Sequence, residues 1–165
     1  MLMLGDMAMY KFDHIRKATE DDIFFIRSLE MDPANTFVHS WDEATHRQNI
    51  NDDAYHYLIA EDAEGHQLGY AILLDNAPGR VEWRRIIVAR RSDGIGKAFM
   101  AAVLDYFFTK HKAEVVWLDV YEKNDRARHV YRTLGFTEVG EDLKTVPGER
   151  LLIMECLASQ RDAVQ

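Results

Sequence analysis

Two short segments, about thirty residues apart, carry the residue types best suited to chemistry in this chain. The first, Ile86–Gly96, has the pattern of a buried strand that runs into a glycine turn and then a helix. A helix N-terminus offers free backbone N–H groups and the positive end of a dipole, and glycine lets a phosphate approach the backbone. Gly94 and Gly96 therefore predict a pyrophosphate cradle built from backbone N–H groups between about Arg91 and Lys97.

Two other interpretations of these glycines stay open. A plain strand-to-helix turn that needs glycine only for its geometry explains them equally well. The dinucleotide-binding fingerprint fits poorly, because Phe99 stands where its third glycine would be. That fold also places an acidic ribose partner at the end of the following strand, whereas Glu114 comes before that strand.

The second segment is Asn124–Phe136, a short predicted helix with one tyrosine on its apolar side. Ala127, Val130, Tyr131 and Leu134 recur at spacings of three and four, so they share one helix face that is directed towards the sheet. A phenol placed there could donate a proton to a bound group. A core tyrosine bonded to a backbone carbonyl is the alternative. The residue before the helix, Asn124, has the ordinary interpretation of an N-cap.

Hydrophobic periodicity and turn residues predict the elements that must position these segments. They are a strand at 10–18, helices at 20–31 and 42–49, strands at 55–61, 67–74 and 81–88, a helix at 94–111, a strand at 115–121, a helix at 125–134, and strands at 136–141 and 150–157. We expect an α/β (α+β) fold with a mixed, mostly antiparallel sheet of six to seven strands and about four flanking helices. The strands at 81–88 and 115–121 should be parallel, joined by a right-handed crossover.

Chain length, net charge and cysteine count restrict the class of protein further. With 165 residues, the chain fits a single domain over 1–165, whose core spans about 10–157. A net charge of −8 disfavours a nucleic-acid partner and suits a cationic one. The one cysteine, Cys156, excludes an intramolecular disulfide and a multi-cysteine metal site, which fits a cytoplasmic location. We expect no membrane span, no metal, and a loose methionine-rich start over residues 1–9.

The two segments together resemble the GNAT superfamily of N-acetyltransferases. Arg91-Ser92-Asp93-Gly94-Ile95-Gly96 matches the Arg/Gln-x-x-Gly-x-Gly/Ala motif of that family, although Ser92 stands where many members have glycine. The string NDRARHVYRTLGF is similar to the second signature, an asparagine followed by Tyr-x-x-x-Gly-Phe. The order of elements also agrees over roughly residues 10–157.

The resemblance implies an acetyl-CoA-dependent N-acetyltransferase in which the cofactor lies between two splayed parallel strands. It implies that the backbone of Ile87 and Val88 binds the pantetheine arm and polarises the acetyl carbonyl, and that Tyr131 protonates the leaving thiolate. The implied cofactor-binding residues are Ile87, Val88, Arg91, Ser92, Asp93, Gly94, Ile95, Gly96, Lys97, Asn124, Ala127 and Tyr131. A preorganised N–H donor would stabilise the charge that develops on the carbonyl oxygen.

An amine acceptor is mostly ammonium near pH 7, so a base must remove a proton. Glu82 is the candidate, because it lies on the strand that leads to Val88, where some family members keep a carboxylate. Strict alternation places Glu82 with Arg84, Ile86 and Val88 on one face of the strand, and Arg85 with Trp83 and Ile87 on the other. A surface glutamate paired with an arginine is the alternative.

Other ionisable residues have less specific interpretations. We expect four scattered histidines, His39, His46, His56 and His66, to lie on the surface or in loops. Acidic residues near the early helices, Glu30, Asp32, Asp42 and Glu43, either attract a cationic amine or form a solvated surface. The pairs Arg84-Arg85 and Arg90-Arg91 together look like a basic patch. A nucleic-acid site is one interpretation of this patch, but the overall acidity and the thioester-binding motifs favour a grip on the phosphates of coenzyme A. Cys156 is expected to be a packed thiol with no nucleophilic role.

The expected acceptor is a primary amine of a small molecule or a peptide, with a preference for a small amine because of the acidity. The Asn124–Phe136 string and the strand end within Ile86–Gly96 look most like the polyamine and ribosomal-protein-alanine branches of the family. Transfer to a protein N-terminus is therefore an alternative. Further alternatives are an enzyme that transfers a longer acyl chain and a catalytically silent sensor that binds acyl-CoA. A homodimer is common in the family.

Overall fold

The computed structural model describes residues 10–35, 40–89, 94–142 and 149–164. Its strands are β1 (His14–Lys17), β2 (Tyr55–Glu61), β3 (Gln67–Ala77), β4 (Arg80–Val88), β5 (Val115–Tyr121), β6 (Thr137–Asp142) and β7 (Leu151–Leu157). Its helices are α1 (Ile23–Glu30), α2 (Glu43–Ile50), α3 (Ile95–Thr109), α4 (Asp125–Thr133) and α5 (Ala158–Val164), with single 3₁₀ turns at Glu20–Asp22 and Pro33–Asn35.

The seven strands of the described chain form one mixed sheet in the order β1-β2-β3-β4-β5-β7-β6. Strands β4 and β5 are parallel, with Arg80 opposite Val115 and Glu82 opposite Trp117. The β1–β2, β2–β3, β5–β7 and β6–β7 pairs are antiparallel. The predicted fold class and the parallel β4–α3–β5 connection are therefore confirmed.

Two elements differ from expectation. The predicted turn between β3 and β4 has four residues, whereas the observed turn has only two, Pro78–Gly79, with Gly79 at φ +76. Proline followed by glycine at positive φ is typical of a tight type II turn, which lets both strands extend further. Helix α5 was not predicted, because its seven residues carry no apolar periodicity and follow β7 without a break.

The described chain divides into two compact units. The first comprises the chain up to Leu74 and Arg84–Ala102, and the second comprises Asp75–Trp83 and the chain from Val103 onwards. The expectation of one domain over 1–165 stays a prediction. Within the described residues, no helix is long and apolar enough to cross a membrane.

The core of the first unit forms where α1 packs on β2, β3 and β4. Ile26 and Leu29 lie one helical turn apart and share a cluster with Ile59, Ile72 and Ile87. Each such side chain contributes about 1.5–3 kcal/mol through its removal from water. Thr19 begins this region with a capping box that it forms with Asp22.

The core of the second unit alternates along its central strand. Val116, Leu118 and Val120 of β5 are buried, whereas Trp117 and Asp119 are not. Strand β5 lies between β4 and β7, and Trp117 on its other face is half-buried. The guanidinium of Arg80 lies over the Trp117 indole, 6.0 Å from the ring centroid.

Candidate active site

The glycine turn lies in the first unit, between the end of β4 at Val88 and the start of α3 at Ile95. Gly94 has φ +95, a left-handed conformation that costs a side-chain-bearing residue about 1–2 kcal/mol. Of the residues predicted to hold a pyrophosphate, Arg91, Ser92 and Asp93 lie outside the described part of the chain. Of the others, Gly94 directly precedes α3, and Ile95, Gly96 and Lys97 form its first turn.

Among the residues that the structure describes, nothing requires glycine at position 96. Its φ is not positive, and a Cβ built there would lie 3.7 Å from Cγ2 of Val88, which is an ordinary contact. Glycine inside a helix costs about 0.5–1 kcal/mol relative to alanine. A ligand that approaches the backbone closely would explain the glycine, and the N–H groups of the first helical turn are the donors available to it.

The end of β4 is held tightly against β3. A Cβ on Gly69 would lie 2.5 Å from the carbonyl oxygen of Ile87 and 3.0 Å from Cα of Val88, so only glycine fits there. The backbone N–H of Ala89 donates to the carbonyl oxygen of Leu68 at 2.7 Å. Sequence reasoning missed Gly69, although an isolated glycine inside a strand pattern is a known sign of close backbone approach.

Helix α4, in the second unit, carries the predicted proton donor. The side-chain oxygen of Asn124 accepts a hydrogen bond from the N–H of Ala127 at 3.2 Å, which makes it the N-cap. Gly135 has φ +103, and the N–H of Phe136 returns to the carbonyl oxygen of Tyr131 at 3.0 Å. These bonds fix both ends of a nine-residue helix.

The Tyr131 side chain lies on the inner face of α4, as its spacing predicted. Its ring packs at a tilt on Phe136, with centroids 5.8 Å apart. Burial, and then the negative charge of Asp119, raise the pKa of the Tyr131 phenol above its usual value. The phenol is therefore protonated at neutral pH and able to donate.

Glu82 lies on β4 in the second unit, opposite Trp117 of β5. The carboxylate is partly exposed, and Nδ2 of Asn76 lies 3.5 Å from its Oε2. A carboxylate that water can reach is able to accept a proton directly or through water. Its role as the base stays a prediction.

Three charged or polar residues expected on the surface are buried together in the first unit. The side chains of Glu30 and His46 are 0% exposed and that of Arg85 is 9% exposed. The predictions of a solvated Glu30, a surface His46 and a phosphate-gripping Arg85 were therefore wrong. A periodic signal existed, because position 30 follows the buried Ile26 by four residues, and position 85 precedes the buried Ile87 by two.

The buried carboxylate of Glu30 is ionised. Burial alone would raise its pKa, but hydrogen bonds from His46 and Tyr70 and the charges of His46 and Arg85 outweigh that effect and hold the pKa below its usual value. His46 shares its second ring nitrogen, Nδ1, with the hydroxyl of Tyr57 at 2.9 Å. The arrangement is a satisfied polar network inside an apolar core.

The only cysteine of the sequence has no nucleophilic environment. Cys156 is fully buried in β7, and burial raises the pKa of its thiol to about 11. Its Sγ lies 3.9 Å from the carbonyl oxygen of Leu134. The prediction of a packed thiol is confirmed.

A group of ionisable side chains in the β2–β3 turn has the composition of a cation site. Asp62, Glu64 and His66 in the β2–β3 turn bring their ligand atoms within 4.8 Å of one another. The Asp62 carboxylate, however, already accepts hydrogen bonds from the backbone N–H groups of Glu64 and His66 and from Nδ1 of His66. That set of bonds is what an ordinary Asx turn requires.

Beside the start of α4 lies a pocket of about 470 Å³ whose walls are mainly charged. Its acidic and basic side chains balance in number and are largely paired, as in Lys123 with Glu149 at 2.6 Å and Arg150 with Glu122 at 2.7 Å. The pocket therefore has no strong preference for a cation on charge alone.

Comparison with known proteins decides the class. Residues 23–136 match the acetyltransferase (GNAT) family, which is more than half of the chain. The chain belongs to the GNAT family. The predictions of a GNAT fold, of an acetyl-CoA-dependent N-acetyltransferase and of acetyl-CoA as the co-substrate are thereby confirmed.

The curated relatives of this GNAT protein include two spermidine N(1)-acetyltransferases. The one from Escherichia coli K12 is 32% identical over 140 residues, which cover 77% of this chain and 74% of the relative. The one from Vibrio cholerae is 31% identical over 101 residues, which cover 59% of this chain and only 58% of the relative.

Solved structures agree with the fold of this GNAT chain. A chimera of the Vibrio cholerae spermidine N-acetyltransferase and hSSAT has a TM-score of 0.79 and 25% identity, and the match covers 92% of this chain and 99% of that one. The Vibrio cholerae enzyme in complex with CoA and spermine has a TM-score of 0.77 and 24% identity, with 89% and 96% covered.

Within this GNAT protein, each unit brings part of the predicted site together. The first unit places Val88 beside Gly96 in the first turn of α3. The second places Asn124, Ala127 and Tyr131 on one short helix. The individual roles of these residues remain predictions.

Proposed function

We propose that this protein transfers the acetyl group of acetyl-CoA to a primary amine of a small polyamine of the spermidine class. The observation that carries the proposal is the contact of Val88 with the first turn of α3 at Gly96, a glycine that neither its conformation nor its packing against the described residues requires. The spermidine N(1)-acetyltransferases among the relatives support the choice of acceptor.

The first unit binds the donor in this proposal. The N–H groups at the start of α3 bind the pyrophosphate, and the exposed Lys97 adds positive charge. The backbone at Ile87 and Val88 binds the pantetheine arm and presents an N–H to the acetyl carbonyl oxygen. Gly69 keeps that stretch fixed against β3, so the donor does not have to be reoriented during the reaction.

The transfer is a direct attack in a ternary complex. The amine nitrogen forms a bond to the acetyl carbon, and the bond from that carbon to sulfur breaks. Glu82, directly or through water, takes the proton that the ammonium form must lose. Tyr131 gives its phenolic proton to the departing thiolate. The nitrogen loses its second proton as the amide forms, and this proton passes through water to the Tyr131 phenolate. The products are therefore the acetylated amine, the free thiol and the one proton that Glu82 releases to solvent.

The proton transfer from Tyr131 is uphill in water, because a phenol has a pKa of about 10 and a free thiol one of about 8.5. The raised pKa of Tyr131 widens that gap. The transfer therefore has to be coupled to the breaking of the carbon–sulfur bond, because collapse of the tetrahedral adduct supplies the driving force for it.

The acidity of the chain supports a cationic acceptor. A net charge of −8 raises the local concentration of a polyamine near the surface, in a way that depends on ionic strength. A peptide N-terminus carries one positive charge and gains less from this field.

The test is thiol release from acetyl-CoA across a panel of polyamines, amino acids, aminoglycosides and peptides with free N-termini. Binding of acetyl-CoA is followed in parallel by calorimetry. We expect turnover with spermidine or spermine and a kcat/KM at least tenfold lower with peptides. Turnover confined to peptides overturns the acceptor class. Tight acetyl-CoA binding with no turnover on any amine replaces the enzyme by an acyl-CoA sensor.

A further inference from the structure

The Glu30 carboxylate is the centre of a buried polar cluster in the first unit. Its Oε1 accepts from Nε2 of His46 at 2.7 Å and from the backbone N–H of Trp41 at 3.3 Å. Its Oε2 accepts from the hydroxyl of Tyr70 at 2.8 Å and from a guanidinium nitrogen of Arg85 at 2.6 Å. One side chain on α1 thus binds α2, β3, β4 and the segment before α2.

Stability alone is a weak reason for such a cluster. Moving a carboxylate and a guanidinium out of water costs several kcal/mol for each, and well-packed apolar residues often do as well or better. The ion pair instead constrains the positions of the groups around it, because each donor must lie at hydrogen-bond distance from a fixed oxygen.

The two donors to Oε2 flank the tightest contact between β3 and β4. Tyr70 follows Gly69, the glycine that leaves room for the carbonyl oxygen of Ile87. Arg85 precedes Ile87 by two residues and shares its face of β4, because both reach the α1 side. The same carboxylate therefore holds both strands within two residues of the backbone that the proposed function assigns to the acetyl group.

Arg85 contributes stacking and hydrogen-bond geometry at this position in addition to its positive charge. Its guanidinium lies 4.0 Å from the centroid of the Trp41 ring, so it is stacked on one side and hydrogen-bonded at its edge. A lysine would keep the positive charge but lose both the planar stacking and the fixed direction of the donor.

We infer that Glu30 is a positioning residue for acetyl transfer, which acts through Arg85 and Tyr70 to fix the backbone of Ile87 and Val88. The inference rests on the proposed function for its catalytic consequence. A displacement of about 1 Å at a reacting group can cost on the order of 100-fold in rate, so a fixed strand end matters more for turnover than for binding.

The test compares Glu30→Gln and Arg85→Lys with Ile59→Val, a core variant in the same cluster of apolar side chains that leaves the carboxylate intact. All are assayed at temperatures equally far below their own Tm. The readouts are kcat, the KM of the amine, the Kd of acetyl-CoA, and hydrogen–deuterium exchange of the peptide that contains residues 86–89.

We expect Glu30→Gln to lower kcat at least tenfold while the Kd of acetyl-CoA changes less than threefold, and to speed exchange at residues 86–89. Arg85→Lys should lie between it and the wild type, and Ile59→Val should leave kcat within twofold. Unchanged exchange at 86–89 in Glu30→Gln overturns the inference. So does a loss of kcat no larger than that of Ile59→Val.

The exchange measurement needs no substrate, which separates this inference from the proposed function. If the wild-type protein acetylates no amine but Glu30→Gln still loosens residues 86–89, the proposed function fails and the positioning of the strand end stands. If the wild type is active and exchange in Glu30→Gln is unchanged, the proposed function stands and the positioning role fails.

Discussion

The side-chain oxygen of Asn124 accepts a hydrogen bond from the backbone N–H of Ala127 at 3.2 Å. The residue implied in cofactor binding is therefore also the cap of the helix that carries Tyr131. An N-cap asparagine or serine stabilises a helix by about 1 kcal/mol relative to alanine. Any loss of activity on removing Asn124 thus has two possible causes, a frayed helix or a missing cofactor contact.

Serine and alanine at position 124 separate these causes. Asn124→Ser keeps a capping oxygen, so we expect the free energy of unfolding to stay within about 0.5 kcal/mol of the wild type, while Asn124→Ala should lose about 1 kcal/mol. Both should weaken acetyl-CoA binding by about three- to tenfold, the value of one hydrogen bond. Calorimetric titration and urea unfolding measure the two effects. Wild-type affinity in Asn124→Ser would leave the residue with its capping role alone.

Removing the phenolic oxygen of Tyr131 tests the proton donor. The ring packs on Phe136 and would remain in Tyr131→Phe, so we expect the fold and the Kd of acetyl-CoA to be nearly unchanged. The kcat should fall by about 100-fold or more, as for loss of a general acid. Steady-state kinetics with saturating acetyl-CoA give the answer. A kcat within threefold of the wild type would remove Tyr131 from catalysis.

The raised pKa of Tyr131 sets the expected pH dependence. Burial and the charge of Asp119 keep the phenol protonated beyond its usual titration range, so its ionisation does not reduce activity below about pH 10. We expect kcat to rise from pH 6 and to show no alkaline decrease up to pH 9.5. The contrary result is a decrease centred below pH 9 that disappears in Tyr131→Phe.

Gly96 offers the sharpest test of the phosphate cradle. Alanine there meets only an ordinary contact with Val88 and should raise the free energy of unfolding by roughly 0.5–1 kcal/mol, because the unfolded chain loses freedom. The added methyl group should weaken acetyl-CoA binding at least tenfold. Gly140→Ala in β6, where a Cβ meets nothing within 4 Å, is the matched control and should bind normally. Normal binding in Gly96→Ala would leave the turn with a purely structural role.

The parts of this fold that follow a strong period could be predicted from the sequence. The apolar spacing within α3 and the apolar run within β5 predicted the type and order of these two elements. The turn at Gly94 predicted the candidate site for the acetyl donor. The buried cluster could not be predicted in the same way, because a charged residue such as Glu30 is more often exposed than paired. The cost of burying the Glu30 carboxylate is offset only because His46, Tyr70 and Arg85 contact it in the folded structure.

A different buried carboxylate should govern stability in acid. Asp22 accepts two hydrogen bonds from the guanidinium of Arg16, both at 2.8 Å, and one from the N–H of Thr19. Burial opposes ionisation of this carboxyl, but the bonds from Arg16 and Thr19 outweigh it and hold its pKa below the usual value. Its contribution is therefore fully present above the unfolded-state pKa of about 3.9 and is lost as the pH falls through the lower folded-state pKa.

Asp22→Asn should therefore destabilise the protein at pH 7, by roughly 2 kcal/mol once the partial exposure of Arg16 is taken into account. The difference from the wild type should shrink as the pH falls below about 4, because the carboxyl of the unfolded wild-type chain then binds a proton before the folded one does. Urea unfolding at several pH values between 3 and 7 measures this convergence. Asp21→Asn, an exposed carboxylate in the same turn, is the control and should change stability by less than about 0.5 kcal/mol throughout. A constant difference between wild type and Asp22→Asn over the whole range would contradict the assignment of a depressed pKa to Asp22.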